Sequence, residues 1–415
     1  MGFWAIVAIG VGGMVGGGIF AVLGLSVQLT GGGAPVAFLV GGAVALITAY
    51  SYARLSVTYP GPGGTVDFID RAFGRTLATG TLNVLLWVSY IVMLSLYSYA
   101  FGEYGAELVG AGNNPLVRHL LISGSIVGLT ALNVVGASAV GKAEEWIVGI
   151  KVLILVGFAI IGFTTLDPGR LAPPTWSAPL PLVAGGMLVF LAYEGFELIA
   201  NTAGDAKNPA RTLPRAYFTA VGFVVVLYIA VAAATVGNLS IDRIVAARDY
   251  ALAAAARPLL GQTGFTLIAV AAVLSTASAI NATLYGAARV SYVVAKEGEL
   301  PEMLERNIWN RPIESLLVTA GAALLVANLF DLSSIATLGS AGFLAIFAVV
   351  NVANARLARQ TRSRAWIAWI GAAVCVVALA ALVWETARDD PTRLWALVVM
   401  GGLSFTMELV YRQFR

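Results

Sequence analysis

Four groups of residues in this chain could do chemistry in an apolar setting. Lys151 is the only charge between Trp146 and Phe158, in WIVGIKVLILVGF. It falls about eight or nine residues into a helix, which at 1.5 Å per residue puts it ~12–14 Å deep. A charged lysine at that depth costs ~2.5–3.5 kcal/mol on insertion scales, so it must face a partner or exchange a proton. Glu194 and Glu197 bracket a glycine in LAYEGFE, residues 191–197. They share one helical face only if the helix continues through Gly195. Such a pair could carry a proton, pair with Lys151 or select a cationic group, and Glu197 could equally cap amides freed by a helix break. The stretch GGMVGGGIF, residues 12–20, has five glycines in nine positions, each costing a helix ~1 kcal/mol relative to alanine. Last, VLSTASAINATLYG at 273–286 offers hydroxyls, of which Thr276 and Ser278 have an ordinary reading as helix-packing groups.

The elements that must position these residues are transmembrane helices. The chain has 415 residues, 59% hydrophobic and 11% charged, against about 25% charged in soluble domains. About twelve runs are long and apolar enough to cross a bilayer. They fall near 3–27, 35–59, 76–101, 117–135, 143–164, 182–204, 215–237, 264–294, 314–330, 333–355, 365–384 and 393–411. Period-two alternation is absent, so the expected class is an all-α polytopic membrane protein. The pI near 9.0 does not imply nucleic acid, because the basic residues are distributed by side. With the N-terminus inside, 17 of the 25 Lys and Arg fall on the cytoplasmic side, among them Arg71, Arg75, Arg211, Arg215, Arg306 and Arg356. Seven fall outside, including Arg118, Arg248, Arg257 and Arg393, and Lys151 lies within a span. This asymmetry is the positive-inside signature and puts both termini in the cytoplasm. The first run is too long for a signal peptide and lacks a charged leader. The cytoplasmic start is so short that it leaves a preceding N-terminal tail open.

An odd number of spans reverses topology, so a five-span unit that repeats would be inverted in its second copy. The expected organisation is a first repeat at 1–165, a second at 166–356, and two appended helices at 357–415. Both repeats begin with an anomalous span, the glycines at 12–18 and the acids around Gly195. Paired interruptions of this kind point to the midplane site of a transporter. Close packing through Gly12-xxx-Gly16 would account for the first anomaly alone, whereas a helix break accounts for both. A break at Gly16–Gly18 frees amides that favour an anion, and carbonyls near Met14 that favour a cation. An α-amino acid presents that pair of charges.

Four stretches then give a specific likeness: GGGIF at 16–20, PGPGGTVDFI at 60–69, YEGFELIANTAGDAKNPARTLPRA at 193–216 and AKEGELP at 295–301. In this order they resemble the amino acid–polyamine–organocation (APC) superfamily of transporters, from Gly10 to about Trp309. The resemblance implies a 5+5 inverted repeat with discontinuous helices 1 and 6. It implies a substrate carboxylate on the amides of Gly17 and Gly18, beside Gly16, and a substrate ammonium on carbonyls of Met14, Leu191 and Glu194, with the side chain near Ala192. It implies that the Lys151 ammonium meets the Gly12 carbonyl and Ser275, where sodium-driven relatives bind an ion, and hence coupling to protons. Glu197 matches a carboxylate of many members. Glu194 departs from the usual apolar residue, and Leu191 from the usual aromatic gate, with Phe190 and Tyr193 the nearest aromatics.

The remaining polar residues have plainer readings. One cysteine, Cys375, and one histidine, His119, support neither a disulfide framework nor a metal site. Lys142, with Glu144 and Glu145, belongs to the cytoplasmic interface. Glu103 and Glu107 end the third span and are expected to be solvated, and Arg54 to meet a lipid phosphate or a loop carboxylate. No nucleophile–base pairing suggests an enzyme, no phosphate-binding glycine loop suggests ATP, and no cofactor or metal is expected. The expectation is a permease for mainly neutral amino acids in the plasma membrane of a prokaryote, using protons and surrounded by membrane lipids. A carrier or exchanger of cationic amino acids or polyamines, and a non-transporting sensor, are the alternatives.

Overall fold

The computed structural model describes residues 1–61, 63–135, 140–296, 298–300 and 313–413, with backbone alone for 140–145. Arg306, the side chains of Lys142, Glu144 and Glu145, and parts of two motifs (Pro62, Glu297 and Pro301) lie outside the described residues. The helices run α1 (Phe3–Met14), α2 (Gly18–Thr30), α3 (Ala34–Thr58), α4 (Thr65–Phe73), α5 (Leu77–Leu108), α6 (Pro115–Val135) and α7 (Val140–Thr164). Next come α8 (Pro179–Phe190), a 3-10 segment (Leu191–Asp205), α9 (Pro209–Asn238), α10 (Ile241–Ala246) and α11 (Ala251–Lys296). The last are α12 (Ile313–Leu329), α13 (Leu332–Arg356), α14 (Ala358–Thr361), α15 (Ala365–Asp389) and α16 (Arg393–Gln413).

Among the described residues, ten helices are long and apolar enough to cross a membrane, and α1 with α2 makes an eleventh span bent by 48°. Helix α12 is apolar but shorter, at 17 residues. Every run read from the sequence therefore has its helix. Burial separates an inner set from an outer one. The apolar windows of span 6, α5 and α13 are 89%, 83% and 83% buried, against 28%, 22% and 17% for α7, α6 and α16. The outer helices thus leave most of their surface outside the bundle. Helix α7 keeps one inward stripe, on which Lys151, Leu155, Phe158 and Ala159 are all buried. Their spacing of four, seven and eight is one face of an α-helix.

Polar contacts join α13 and α15 to α3. Asn351 of α13 accepts from Ser51 at 2.6 Å and donates to Thr48 at 3.1 Å, both on α3. The buried Cys375 of α15 lies 3.6 Å from Thr48 in the same cluster. Sealed from solvent, each of these groups finds its partner within the protein. His119 is bonded to Asn328 at 2.8 Å, and Arg54 lies over the Tyr50 ring. Glu103 corrects an expectation: it is 5% exposed and pairs with Arg118 at 3.2 Å, because α6 packs its first turns over that end of α5.

A close backbone approach joins α1 to the 3-10 segment. A Cβ on Gly195 would stand 2.3 Å from the carbonyl carbon of Gly13, and one on Gly13 would stand 2.8 Å from the Gly195 oxygen. Only two glycines permit this crossing. Gly195→Ala is expected to cost about 1–3 kcal/mol through overpacking. Gly222→Ala, in α9 with nothing within 4 Å of the added carbon, should be neutral or gain up to ~1 kcal/mol. Thermal unfolding in detergent measures both, and equal shifts would remove this account of the crossing.

Candidate functional site

The first span is interrupted over Val15–Gly17, between the end of α1 and the start of α2. The last carbonyls of an α-helix have no partner within it, and here side chains from three other helices supply partners. The Lys151 ammonium of α7 donates to the Gly12 carbonyl at 3.2 Å. The Tyr228 hydroxyl of α9 donates to the Met14 carbonyl at 2.6 Å. Ser275 of α11 donates to the carbonyls of Gly16 at 2.9 Å and Val15 at 3.2 Å. Lys151, only 1% exposed, gains in this bond a partner that offsets part of the cost of its burial. The structure thus gathers Gly12, Met14, Gly16, Lys151 and Ser275 at one break.

The other side of the break is different. Gly17 precedes the first residue of α2, Gly18, and among the described residues no side chain caps that helix. Both glycines are tightly enclosed. A Cβ on Gly17 would stand 2.5 Å from the Tyr97 ring, and one on Gly18 would stand 2.7 Å from the Ala192 Cα. Gly17 and Gly18 thus pack against Tyr97 and Ala192, and among the described residues no side-chain cap opposes the dipole at the start of α2.

In span 6 the expected discontinuity takes the form of a change of helix type. Helix α8 passes at Leu191 into fifteen residues of 3-10 helix, far longer than the usual three or four. A 3-10 helix keeps bonding its carbonyls, to the third residue on, so the Leu191 and Glu194 carbonyls are not freed as an open gap would free them. Its three residues per turn eclipse positions i and i+3, which puts Glu194 and Glu197 on one face. Both are buried. Glu197 accepts from Tyr52 at 3.2 Å, from Thr65 at 3.3 Å and from Tyr90. These donors come from α3, α4 and α5. Thr65 is positioned by Gly64, whose φ of +50° favours glycine and whose Cβ would stand 2.3 Å from Asn201 Oδ1. Among the described residues Glu194 has one donor, Tyr97 at 3.5 Å, and its buried Oε2 has no hydrogen-bond partner.

The aromatics beside Leu191 point elsewhere. Phe190 meets Phe347 edge to face, and Tyr193 packs on Tyr228 while donating to the Phe38 carbonyl. Leu191 itself packs against Gly339 of α13. Thr276 bonds within its own helix at 2.7 Å, the ordinary reading. The residues that sequence reasoning missed are Tyr97, Tyr228, Tyr90, Tyr52 and Thr65. Their signal was available, since a tyrosine inside an apolar span needs a partner for its hydroxyl.

A bundle of membrane-crossing helices, with a broken first span and buried charges at the break, defines a polytopic membrane transporter rather than an enzyme. Comparison with known proteins makes this specific. The family model described as amino acid permease matches residues 1–405, so the chain belongs to the amino acid permease family and is an amino acid transporter. It is 38% identical to an uncharacterized protein of Methanocaldococcus jannaschii, over 81% of this chain and 78% of that one. It is 34% identical to the inner membrane transport protein YbaT of Escherichia coli, over 81% and 79%. It is 26% identical to the branched-chain amino acid permease BcaP of Lactococcus lactis, over 79% and 75%.

The hydroxyls around Glu197 yield a prediction. Tyr90→Phe is expected to cost about 1–3 kcal/mol, since it removes one donor from a buried acid. Thr276→Val, which loses only a bond within its helix, should cost less. Thermal unfolding of the two variants decides it. A Tyr90→Phe as stable as the parent would mean that the hydroxyl does not hold Glu197.

Proposed function

We propose that the chain is a proton-coupled secondary transporter that imports a broad range of mainly neutral L-amino acids by alternating access. The observation that carries this reading is the asymmetry at the break: the carbonyl side is bonded by Lys151, Tyr228 and Ser275, and the α2 side has no side-chain cap. An incoming carboxylate supplies the cap, on the amides of Gly17 and Gly18. The substrate ammonium takes the second lone pair of the Met14 carbonyl, and the side chain lies toward Ala192. Lys151 is the coupling residue in this reading. Protonated, it holds the Gly12 carbonyl; on losing its proton to the cytoplasm it releases the end of α1. Its buried ammonium stands in for the ion of a sodium-driven carrier.

We read residues 1–165 and 166–356 as inverted repeats, with 357–415 appended, both termini in the cytoplasm and the chain in the plasma membrane of a prokaryote. The bacterial and archaeal relatives support that setting, and a branched-chain permease among them supports neutral substrates. One observation favours a second reading, a permease or exchanger of cationic amino acids or polyamines. The Glu194 Oε2 has no hydrogen-bond partner, and a cationic substrate would provide one.

Uptake into sodium-free proteoliposomes with an imposed proton gradient tests the proposal. Neutral amino acids should accumulate, and Lys151→Ala should abolish the gradient-driven part. Accumulation that requires sodium, or that survives Lys151→Ala, would sink the coupling assignment; no uptake of any substrate would favour a sensor. For the second reading, Glu194→Gln should leave neutral uptake within a factor of about three, below the 1 kcal/mol scale of a lost hydrogen bond. Arginine or polyamine exchange that Glu194→Gln removes would transfer the assignment to cationic substrates.

A further inference from the structure

Two acids share one face of the 3-10 segment, and their surroundings treat them unequally. Glu197 accepts from three hydroxyls, those of Tyr52, Thr65 and Tyr90. Glu194 is 5% exposed; among the described residues Tyr97 at 3.5 Å is its one donor, and its Oε2 is bonded to nothing. The neighbouring elements bring it no counter-charge. Helices α1, α2 and α8 contain no ionisable side chain. From α3 and α5, tyrosines reach the two acids, and Tyr228 of α9 is engaged by the Met14 carbonyl. The arginines of α3, α9 and α13 (Arg54, Arg211, Arg215 and Arg356) lie near the ends of their helices, and Glu103 of α5 pairs with Arg118. Lys151 is bonded to Gly12 on a different face of α1. A Cβ on Gly12 would meet Val148 of α7, whereas one on Gly13 would meet Gly195 of the 3-10 segment.

A carboxylate sealed from water, with one long hydrogen bond and no cation, is costly, and two carboxyl groups in one enclosure do not both ionise. Glu197 has the donors that an anion needs, and Glu194 does not. We propose that Glu194 is a second proton-binding site of the transport cycle, neutral when substrate enters and emptied to the cytoplasm after substrate leaves. The proposal rests on Lys151 as the residue whose proton releases the first span, and it adds a second proton to each turnover. Tyr97 is the link to substrate. Its hydroxyl is on Glu194, and its ring lies against Gly17. A charge on Glu194 and a substrate carboxylate on the Gly17 amide would therefore stand at opposite sides of one tyrosine and repel. Neutral Glu194 removes that repulsion, so substrate and proton bind together. When the site opens to the cytoplasm, water solvates the carboxylate. The acid's O–H bond then breaks, its electron pair stays on the oxygen and the proton passes to water. Without Lys151 the first span is not released and neither proton moves.

The proton count per substrate tests this. Proteoliposomes of the full chain are loaded with L-leucine tenfold above the medium, with the membrane potential clamped at zero. The outside is then acidified until net leucine flux stops. A tenfold concentration ratio and one pH unit are the same free energy, so one coupled proton balances at about one unit and two at about half a unit. The parent should balance at about half a unit. Glu194→Gln, whose amide copies the neutral acid, should go on transporting and balance at about one unit. Glu194→Leu should read the same, so the test survives if one variant folds poorly. A parent that balances at about one unit, unchanged in both variants, would overturn the second proton and leave Lys151 as the carrier. Half a unit in the parent and in both variants would overturn Glu194 as the site. Balance at one unit that becomes indifferent to pH in the variants would keep the proton on Glu194 and overturn the role of Lys151. Infrared difference spectra of the substrate-free chain at neutral pH, parent minus Glu194→Leu, should show the C=O stretch of a protonated carboxylic acid. Carboxylate bands in its place would overturn the neutral state.

Discussion

The end of a helix in the middle of a membrane is the constraint on which the rest of this structure depends. Backbone groups freed inside hydrocarbon have no water to bond, and each one left unpaired costs several kcal/mol. The chain ends α1 at Met14 all the same. It then spends Lys151, Tyr228 and Ser275, from three different helices, on the carbonyls this exposes. Those side chains fix how α7, α9 and α11 must stand around the first span. The glycines follow from the same requirement. Gly13 and Gly195 let two backbones touch, and Gly17 and Gly18 admit Tyr97 and Ala192. Helix packing and helix breaking, which compete as explanations of a glycine-rich span, operate here together.

The second anomalous span solves the problem in another way. It keeps its backbone bonds by tightening into a 3-10 helix, and the tightening brings Glu194 and Glu197 onto one face. Their surroundings differ sharply. Glu197 is held by three hydroxyls from α3, α4 and α5, so its position reports the arrangement of those elements. Among the described residues Glu194 has a single long hydrogen bond, from Tyr97, and the Tyr97 ring also covers Gly17. One acid is built into the scaffold. The other is coupled through one tyrosine to the amide side of the break.

Most of the fold was legible in the sequence because apolar runs in a membrane obey few rules. Apolar length alone was enough to place a helix at each run, and the pairing of anomalies at Gly16–Gly18 and Gly195 marked the region where Lys151, Met14 and Ser275 gather. The form of span 6 was not legible. Whether a backbone opens at Gly195 or tightens there depends on how closely Gly13 approaches it, a contact across 182 positions of sequence that no local pattern encodes. The burial of Glu103 was missed for a similar reason, since Arg118 reaches it only after α6 folds back along α5. The tyrosines were missed because an aromatic in an apolar run reads first as hydrophobic area. Their hydroxyls, which do the organising here, add almost nothing to that pattern.

The division of labour at the break bears on how such a site can work in cycles. A carbonyl bonded to a fixed hydroxyl, as Met14 is to Tyr228, holds its place whatever the proton supply. A carbonyl bonded to an ammonium can be released by removing a proton, and Gly12 is the carbonyl so bonded. Gly12 lies one short step before the end of α1, and Gly13 beside it is the point of contact with span 6. On the proposed function, the proton therefore acts where the two anomalous spans touch. Substrate acts, on the same proposal, five and six residues after Gly12, at the α2 amides of Gly17 and Gly18, and at Ala192, three residues before Gly195. The two ligands do not need to meet. Each biases the same pair of elements, and that is sufficient for thermodynamic coupling between them.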